Sequence, residues 1–206
     1  MRSHHRSRSR GPLSFTAALT LGAVIVLTLY FYSPLQFLTM SSESSSFLDN
    51  LELSLSQSGT SPPKISVLVK NTHPDTPVTF LKWNSPLDPA ALALGQVSIQ
   101  PAGAFKPIEA HAIMIKRKMP PGAESLVTLR PGESADQVVE LREPRVPGYV
   151  LEAGKAKVAM KGRWMAVWPG MTTEEVLQSP ETLRSVGAGA GSLIGEWETE
   201  TIEVGN

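Results

Sequence analysis

From residue 50 onward, apolar and polar side chains alternate one for one in short runs. Leu51, Leu53 and Leu55 alternate with Glu52, Ser54 and Ser56, and Ile65, Val67 and Val69 with Ser66, Leu68 and Lys70. A third run interleaves Val78, Phe80 and Lys82 with Thr79, Leu81 and Trp83. Successive side chains of a strand point to opposite faces, so a period of two marks a strand that buries one face and wets the other. The same reading places strands at 96–100, 111–117, 126–129, 137–142, 155–161, 164–168 and 196–204. Turns rich in proline and glycine separate them: GTSPP, HPDTP, PAG, PPG, RPGES and VPG.

Short strands at this spacing predict an all-β fold, an antiparallel β-sandwich with an immunoglobulin-like core, formed by residues 48–168 together with a last strand in 193–206. Leu53, Val67, Val69, Phe80, Val158 and Trp164 are the expected core. One segment, TTEEVLQSPETLRSV, departs from the period of two and reads as helix. Thr172 or Thr173 caps it, and Glu175, three residues after Thr172, completes a capping box. Pro180 then opens a second short helix. GAGAGS at 187–192 reads as a flexible connector, so 169–192 is a helical and glycine-rich insert before the last strand.

Residues 1–39 are of another kind. Arg2, Arg6, Arg8 and Arg10 precede an apolar run from Phe15 to Tyr32, about the length that crosses a hydrocarbon core of roughly 30 Å. Its exit, Tyr30-Phe31-Tyr32-Ser33-Pro34, carries interfacial aromatics and no Ala-x-Ala pattern. The expectation is a single-pass signal anchor with a cytosolic N-terminus and a lumenal or extracellular body, which makes the membrane a partner through residues 15–32. A competing reading starts translation at Met40, leaving 1–39 as an upstream extension and the body soluble and cytoplasmic. In either case 40–47 is a serine-rich linker.

The formal net charge of zero hides an asymmetry. Residues 1–40 hold four arginines and no acid, and residues 41–206 hold 15 basic and 19 acidic groups, a net of −4. Such a body argues against nucleic acid as a partner, because that binding rests on neutralising phosphates. The chain has no cysteine, which excludes disulfides, thiolate zinc sites and cysteine nucleophiles.

Histidine is scarce. His4 and His5 lie in the leader, His73 in a turn and His111 in an expected strand. There is no His-Glu-x-x-His, no Gly-x-Ser-x-Gly and no phosphate-binding Gly-Lys-Ser/Thr loop. Glu109 and His111 fall on one strand face, a pairing more typical of a surface hydrogen bond than of a metal site. GAGAGS follows a helix instead of a strand and lacks the setting of a dinucleotide loop. No catalytic residue, metal ligand or cofactor is therefore expected. Two motifs remain as binding candidates. IKRKMPPG sets Lys116, Arg117 and Lys118 at a strand end, where they could meet a carboxylate, a phosphate or an acidic patch, or only blunt a sheet edge. In KGRWMAVWPG, alternation puts Trp164, Ala166 and Trp168 on one face and Arg163, Met165 and Val167 on the other, as in a central strand covered on both sides. Trp168 is then either core or a partner anchor.

The runs LELSLSQSGTSPPKISVLVKNTHPDTPVTFLKWNSPLD, VSIQPAGAFKPIE, IMIKRKMP, LVTLRPGES and VVELRE resemble the N-terminal pro-region of the deuterolysin-type zinc endopeptidases of fungi. The resemblance covers roughly Leu51 to Val158, and the chain looks like a member of a group of small fungal proteins carrying this module alone. The protease part, with its zinc-binding helix, has no counterpart here, so no catalytic residue carries over. The resemblance implies a stand-alone sandwich that assists or covers another protein. The resulting expectation is a non-enzymatic protein-binding module acting as a chaperone or inhibitor of a partner. Its alternatives are an enzyme whose polar groups, Asp88, Glu109, His111 and Lys116, meet only in space, and a purely architectural domain.

Overall fold

A computed structural model describes residues 47–205 apart from 110, 153, 185 and 187–190. Its strands are β1 (Leu51–Thr60), β2 (Pro63–Asn71), β3 (Val78–Leu81), β4 (Val97–Gln100), β5 (Leu126–Leu129), β6 (Ser134–Glu140), β7 (Ala156–Pro169), β8 (Leu193–Glu198) and β9 (Ile202–Val204). Among the described residues, α1 (Tyr149–Glu152), α2 (Thr173–Gln178) and α3 (Pro180–Arg184) are short helices. All strand pairings among these residues are antiparallel. One sheet has the order β1-β2-β6; the other is built on β7, which pairs β4, β3, β8 and β9, with β5 beyond β3. The all-β sandwich read from the alternation is what the chain forms.

The long strand β7 organises the second sheet. Val158 pairs both Ile99 of β4 and Ile202 of β9, and Val167 pairs both Phe80 of β3 and Leu193 of β8. A strand has one partner per edge, so β4 and then β3 flank one edge of β7 in succession while β9 and β8 share the other. Between β9 and β8 the ladder is carried by Thr199, whose N–H donates to Met160 O at 2.8 Å and whose Oγ1 accepts from Met160 N–H at 2.9 Å. The region expected to be one strand over 196–204 is thus two strands, and the regions expected to be two, 155–161 and 164–168, are one. Gly162 lies between that last pair without ending the strand, because a Cβ there would sit 2.6 Å from the Trp197 ring. The glycine serves close packing, not a turn.

A bulge in β7 decides what its tryptophans do. Trp164 pairs Gly195, but Val167 pairs Leu193, so β7 holds one residue more than β8 between these points. One extra residue reverses the side-chain parity beyond it. Trp164 therefore joins the main core between the sheets, with Phe80 edge-on at 5.1 Å. Val167 faces that core too, whereas Ala166 and Trp168 enter a second core with Leu81, Leu126, Val176 and Leu183. The expected single face for Trp164, Ala166 and Trp168 is corrected accordingly; strict alternation has no means of registering the bulge. Of the expected core, Val67, Val69, Phe80, Val158 and Trp164 are buried, and Leu53 is half-buried against them.

The second core is closed by α2 and α3. Thr172 Oγ1 accepts from Glu175 N–H at 3.3 Å while the Glu175 carboxylate accepts from Thr172 N–H at 2.7 Å, the reciprocal box expected from the spacing. Thr79 donates to Met171 O at 2.6 Å, and the Thr128 hydroxyl takes the Thr173 N–H at 2.9 Å, which ties the helix to β3 and β5. The HPDTP turn is held by Asn71, fully buried, whose amide donates to Thr76 O at 2.9 Å and Leu129 O at 3.0 Å. That side chain fastens the passage from one sheet to the other.

No strand forms over 111–117. The segment is extended and one face is half-buried at Ile115 and Arg117, which is what its alternation recorded, but the backbone bond it offers the body here is Ile113 N–H to Ala93 O at 3.0 Å. Residues 1–46, including the apolar run from Phe15 to Tyr32, and most of the glycine-rich connector lie outside the described residues. Among the described residues, no helix is long and apolar enough to cross a membrane.

Candidate functional site

Two turns after β3 hold the groups that matter. Asn84, at a positive φ of 58°, turns the chain so that its N–H donates to Asp88 Oδ2 at 2.8 Å. Ala90 N–H donates to Asp88 Oδ1 at 2.9 Å, and Arg117 Nη2 reaches both oxygens, at 2.9 and 2.6 Å. Asp88 has no solvent exposure, so its charge is satisfied entirely by these donors. The Arg117 guanidinium also lies 5.8 Å from the centroid of the Trp83 ring. The result is a clamp: Arg117, 29 residues downstream, pins the segment 111–118 onto the turn.

The structure therefore separates the three cations of IKRKMPPG. Arg117 is consumed by Asp88, while Lys116 and Lys118 are exposed on either side of it and line a cleft of about 370 Å³ with Trp83 and Glu124. Trp168 is fully buried in the second core and offers no surface to a partner. The four polar groups considered for a spatially assembled site do not share a cleft: Asp88 is sealed, Glu109 and His111 line a pocket of about 550 Å³ with Tyr149, and Lys116 lines the cleft just described. Among the described residues no group of three or more His, Asp or Glu is placed to hold a metal.

A further cleft, of about 700 Å³, lies where the β4 ladder on β7 has ended at Met160 and the β3 ladder has not yet begun at Val167. Its lining includes Gln96, Gly162 and Trp197. Asn84 O accepts from Gln96 Nε2 at 2.8 Å and from Trp197 Nε1 at 2.9 Å. A carbonyl oxygen is only an acceptor, so these bonds fix the amide with Nε2 toward Asn84 and Oε1 away from it. Gln96 is 6% exposed, and Oε1 has no hydrogen-bond partner. Leaving a buried acceptor unmet costs about 1–3 kcal/mol. Sequence reading missed this cleft. The available signal was the pair of complementary triplets Lys161-Gly162-Arg163 and Glu196-Trp197-Glu198, which lie opposite each other in β7 and β8.

A long irregular stretch also carries unusual exposure. Between β4 and the 3-10 turn at Ala123–Ser125, no described residue is in a helix or strand. In this stretch Phe105 and Met114 are fully exposed, Ile113 and Met119 are close to half-exposed, and Lys106, Lys116 and Lys118 lie among them.

A family model for an immunoglobulin-like domain matches residues 50–206. The chain is also 33% identical over 145 residues, 69% of each chain, to a protein of Arthroderma benhamiae named an uncharacterized secreted protein. That name corrects the expected placement as a single-pass membrane protein held by a signal anchor. A basic head followed by an apolar run is common to anchors and to segments removed on secretion, and the length of the run was too weak a criterion to separate them.

Proposed function

The chain belongs to the immunoglobulin-like domain family, and on that premise we propose that it is a secreted, non-enzymatic module that binds another protein through the segment between β4 and β5. The observation that carries this is the exposure of Phe105 and Met114 on one long irregular segment that also bears Lys106, Lys116 and Lys118. Loops of this length without structure of their own are commonly functional, and Phe and Met are enriched at interfaces while methionine adapts to varied surfaces. The Asp88–Arg117 clamp holds the segment against the body, which reduces the ordering cost of binding. Lys116 and Lys118, set beside the apolar groups on a body of net charge −4, favour a partner with an acidic patch. Secretion follows the name of the A. benhamiae relative. The finer reading, a chaperone or inhibitor like the pro-region of deuterolysin-type peptidases, rests on the motifs from Leu51 to Val158. The absence of enzymatic activity is supported by the sealed state of Asp88 and the scatter of the remaining polar groups.

The test is site-directed photo-crosslinking in the culture fluid of the producing organism. A photoreactive residue at Met114 or Phe105 should give one discrete protein adduct. The same group at Glu52, exposed on β1, should give none. Equal labelling from Glu52, or no adduct from either loop position, contradicts the proposal. Hydrolysis of a peptide or glycan substrate by the purified chain would contradict the non-enzymatic part.

A further inference from the structure

Alternation of the kind that builds β-strands runs through 111–117, yet this segment is extended without a strand partner. On the reading of the stretch between β4 and β5 as the protein-binding segment, we infer that the partner supplies the missing strand. It does so as an extended, acidic part of its own chain, added to the open edge of residues 112–118. In an extended chain the N–H and C=O of one residue point to one edge and those of the next to the other. Ile113 N–H donates to Ala93 O at 3.0 Å, and His111 O accepts from Arg145 Nη1 at 2.8 Å, so the odd-numbered residues direct their backbone groups to the body. The even-numbered residues direct theirs to the opposite edge. Among the described residues, no hydrogen bond is made by the backbone of Met114, Lys116 or Lys118. A row of free donors and acceptors is the feature to which an added strand binds. Pro120 and Pro121 lack the N–H and end the row.

Side chains decide which chain fits. Ala112, Met114, Lys116 and Lys118 share the exposed face of the segment, while Ile115 and Arg117 are half-buried on the other. Opposite charges directly across a strand pair attract, and like charges repel. The partner therefore carries carboxylates at alternate positions, opposite Lys116 and Lys118, and an apolar residue opposite Met114. A second copy of this chain fits worse, because pairing two such edges gathers the lysines of both copies on one face. The edges of the first sheet, β1 with Glu52 and β6 with Asp136 and Glu140, bear carboxylates that disfavour an acidic strand. The Asp88–Arg117 pair holds the segment in place ahead of binding.

The experiment is an NMR titration of the ¹⁵N-labelled full-length chain with the peptide Ac-TTETETLTT-NH₂, which sets its glutamates and leucine at alternate positions. The peptide should bind saturably, shift the amides of Met114, Lys116 and Lys118, and slow their exchange with solvent more than that of Ile115 or Arg117. Ac-TTEETTLTT-NH₂, of the same composition with the glutamates adjacent, should bind severalfold more weakly. Two N-methylated forms of the first peptide locate the ladder, one methylated at both glutamates and the other at the two threonines that separate the glutamates and the leucine. Antiparallel addition uses the N–H groups of the glutamates and parallel addition those of the threonines, so one form should lose about tenfold in affinity and the other little. Lys116→Glu/Lys118→Glu, altered only at exposed positions, should weaken the first peptide by about tenfold. No saturable binding, shifts centred on β1 or β6, equal affinity of the two N-methylated forms, or undiminished binding to the lysine variant would overturn the inference. Dimerisation of the free chain through the same three amides would assign the edge to a second copy and overturn it too. A Met114 adduct without peptide binding leaves the protein-binding segment and removes only the added strand. Peptide binding without an adduct leaves the strand and removes the partner in the culture fluid.

Discussion

Replacing Arg117 by alanine isolates the clamp on which the binding segment depends. Asp88 has no solvent exposure, and its carboxylate receives Asn84 N–H, Ala90 N–H and Arg117 Nη2. Removing one partner of a buried ion pair costs about 3–5 kcal/mol when the other charge is left uncompensated. Here two backbone donors remain, and the Arg117 side chain is 25% exposed, which lowers the expected cost to about 2–3 kcal/mol. At ~2–4 °C per kcal/mol for a chain of this size, Tm should fall by roughly 4–12 °C. Urea denaturation of the wild type, Arg117→Ala, Asp88→Asn and the double variant closes a cycle, and the coupling energy should be about 1–3 kcal/mol. Amide exchange should accelerate over 111–118 more than in β2 or β7. Lys116→Ala and Lys118→Ala, by contrast, should stay within about 0.5 kcal/mol of wild type. A cost for Arg117→Ala of less than about 0.5 kcal/mol, or a coupling near zero, would show that something else holds the segment.

Other substitutions test the rest of the frame. Phe80→Ala removes a fully buried ring stacked edge-on against Trp164 and should cost about 3–5 kcal/mol in urea denaturation. Gly162→Ala drives a methyl into the Trp197 ring and should cost about 1–3 kcal/mol, with a changed Trp197 indole resonance. Thr199→Val leaves the buried Met160 N–H without its acceptor and should cost about 1–3 kcal/mol, with faster exchange of that amide. Each of these would be contradicted by stability within experimental error of wild type.

The period of two in Leu51–Leu55 and Ile65–Val69 was enough to recover the sandwich, because burial of one sheet face imposes that period directly. Val78–Leu81, expected to follow the same rule, is instead buried on both faces, with Val78 and Phe80 in one core and Leu81 in the other. Thr172 and Glu175 likewise announced α2, since a capping box acts within four residues. What stayed hidden was non-local. The bulge that sends Trp164 and Trp168 into different cores appears only in the register of β7 against β8. The bond from Trp197 to Asn84 spans 113 residues, and the ion pair from Arg117 to Asp88 spans 29. No local pattern distinguishes Arg117 from Lys116 and Lys118, although the folded chain buries the charge of one against Asp88 and exposes the others. The alternation in 111–117 correctly marked a half-buried face but could not tell a strand from an extended segment held by a clamp.

The most direct test of the binding role is the association rate, as a function of ionic strength, between the chain and the protein crosslinked from Met114. Steering by Lys116 and Lys118 acts over a screening length of about 8 Å near physiological salt, so the wild-type rate should fall as salt is raised. Lys116→Glu/Lys118→Glu should associate more slowly at low salt, lose that salt dependence and keep the wild-type Tm. Identical rates for the two proteins at every salt concentration would contradict the account.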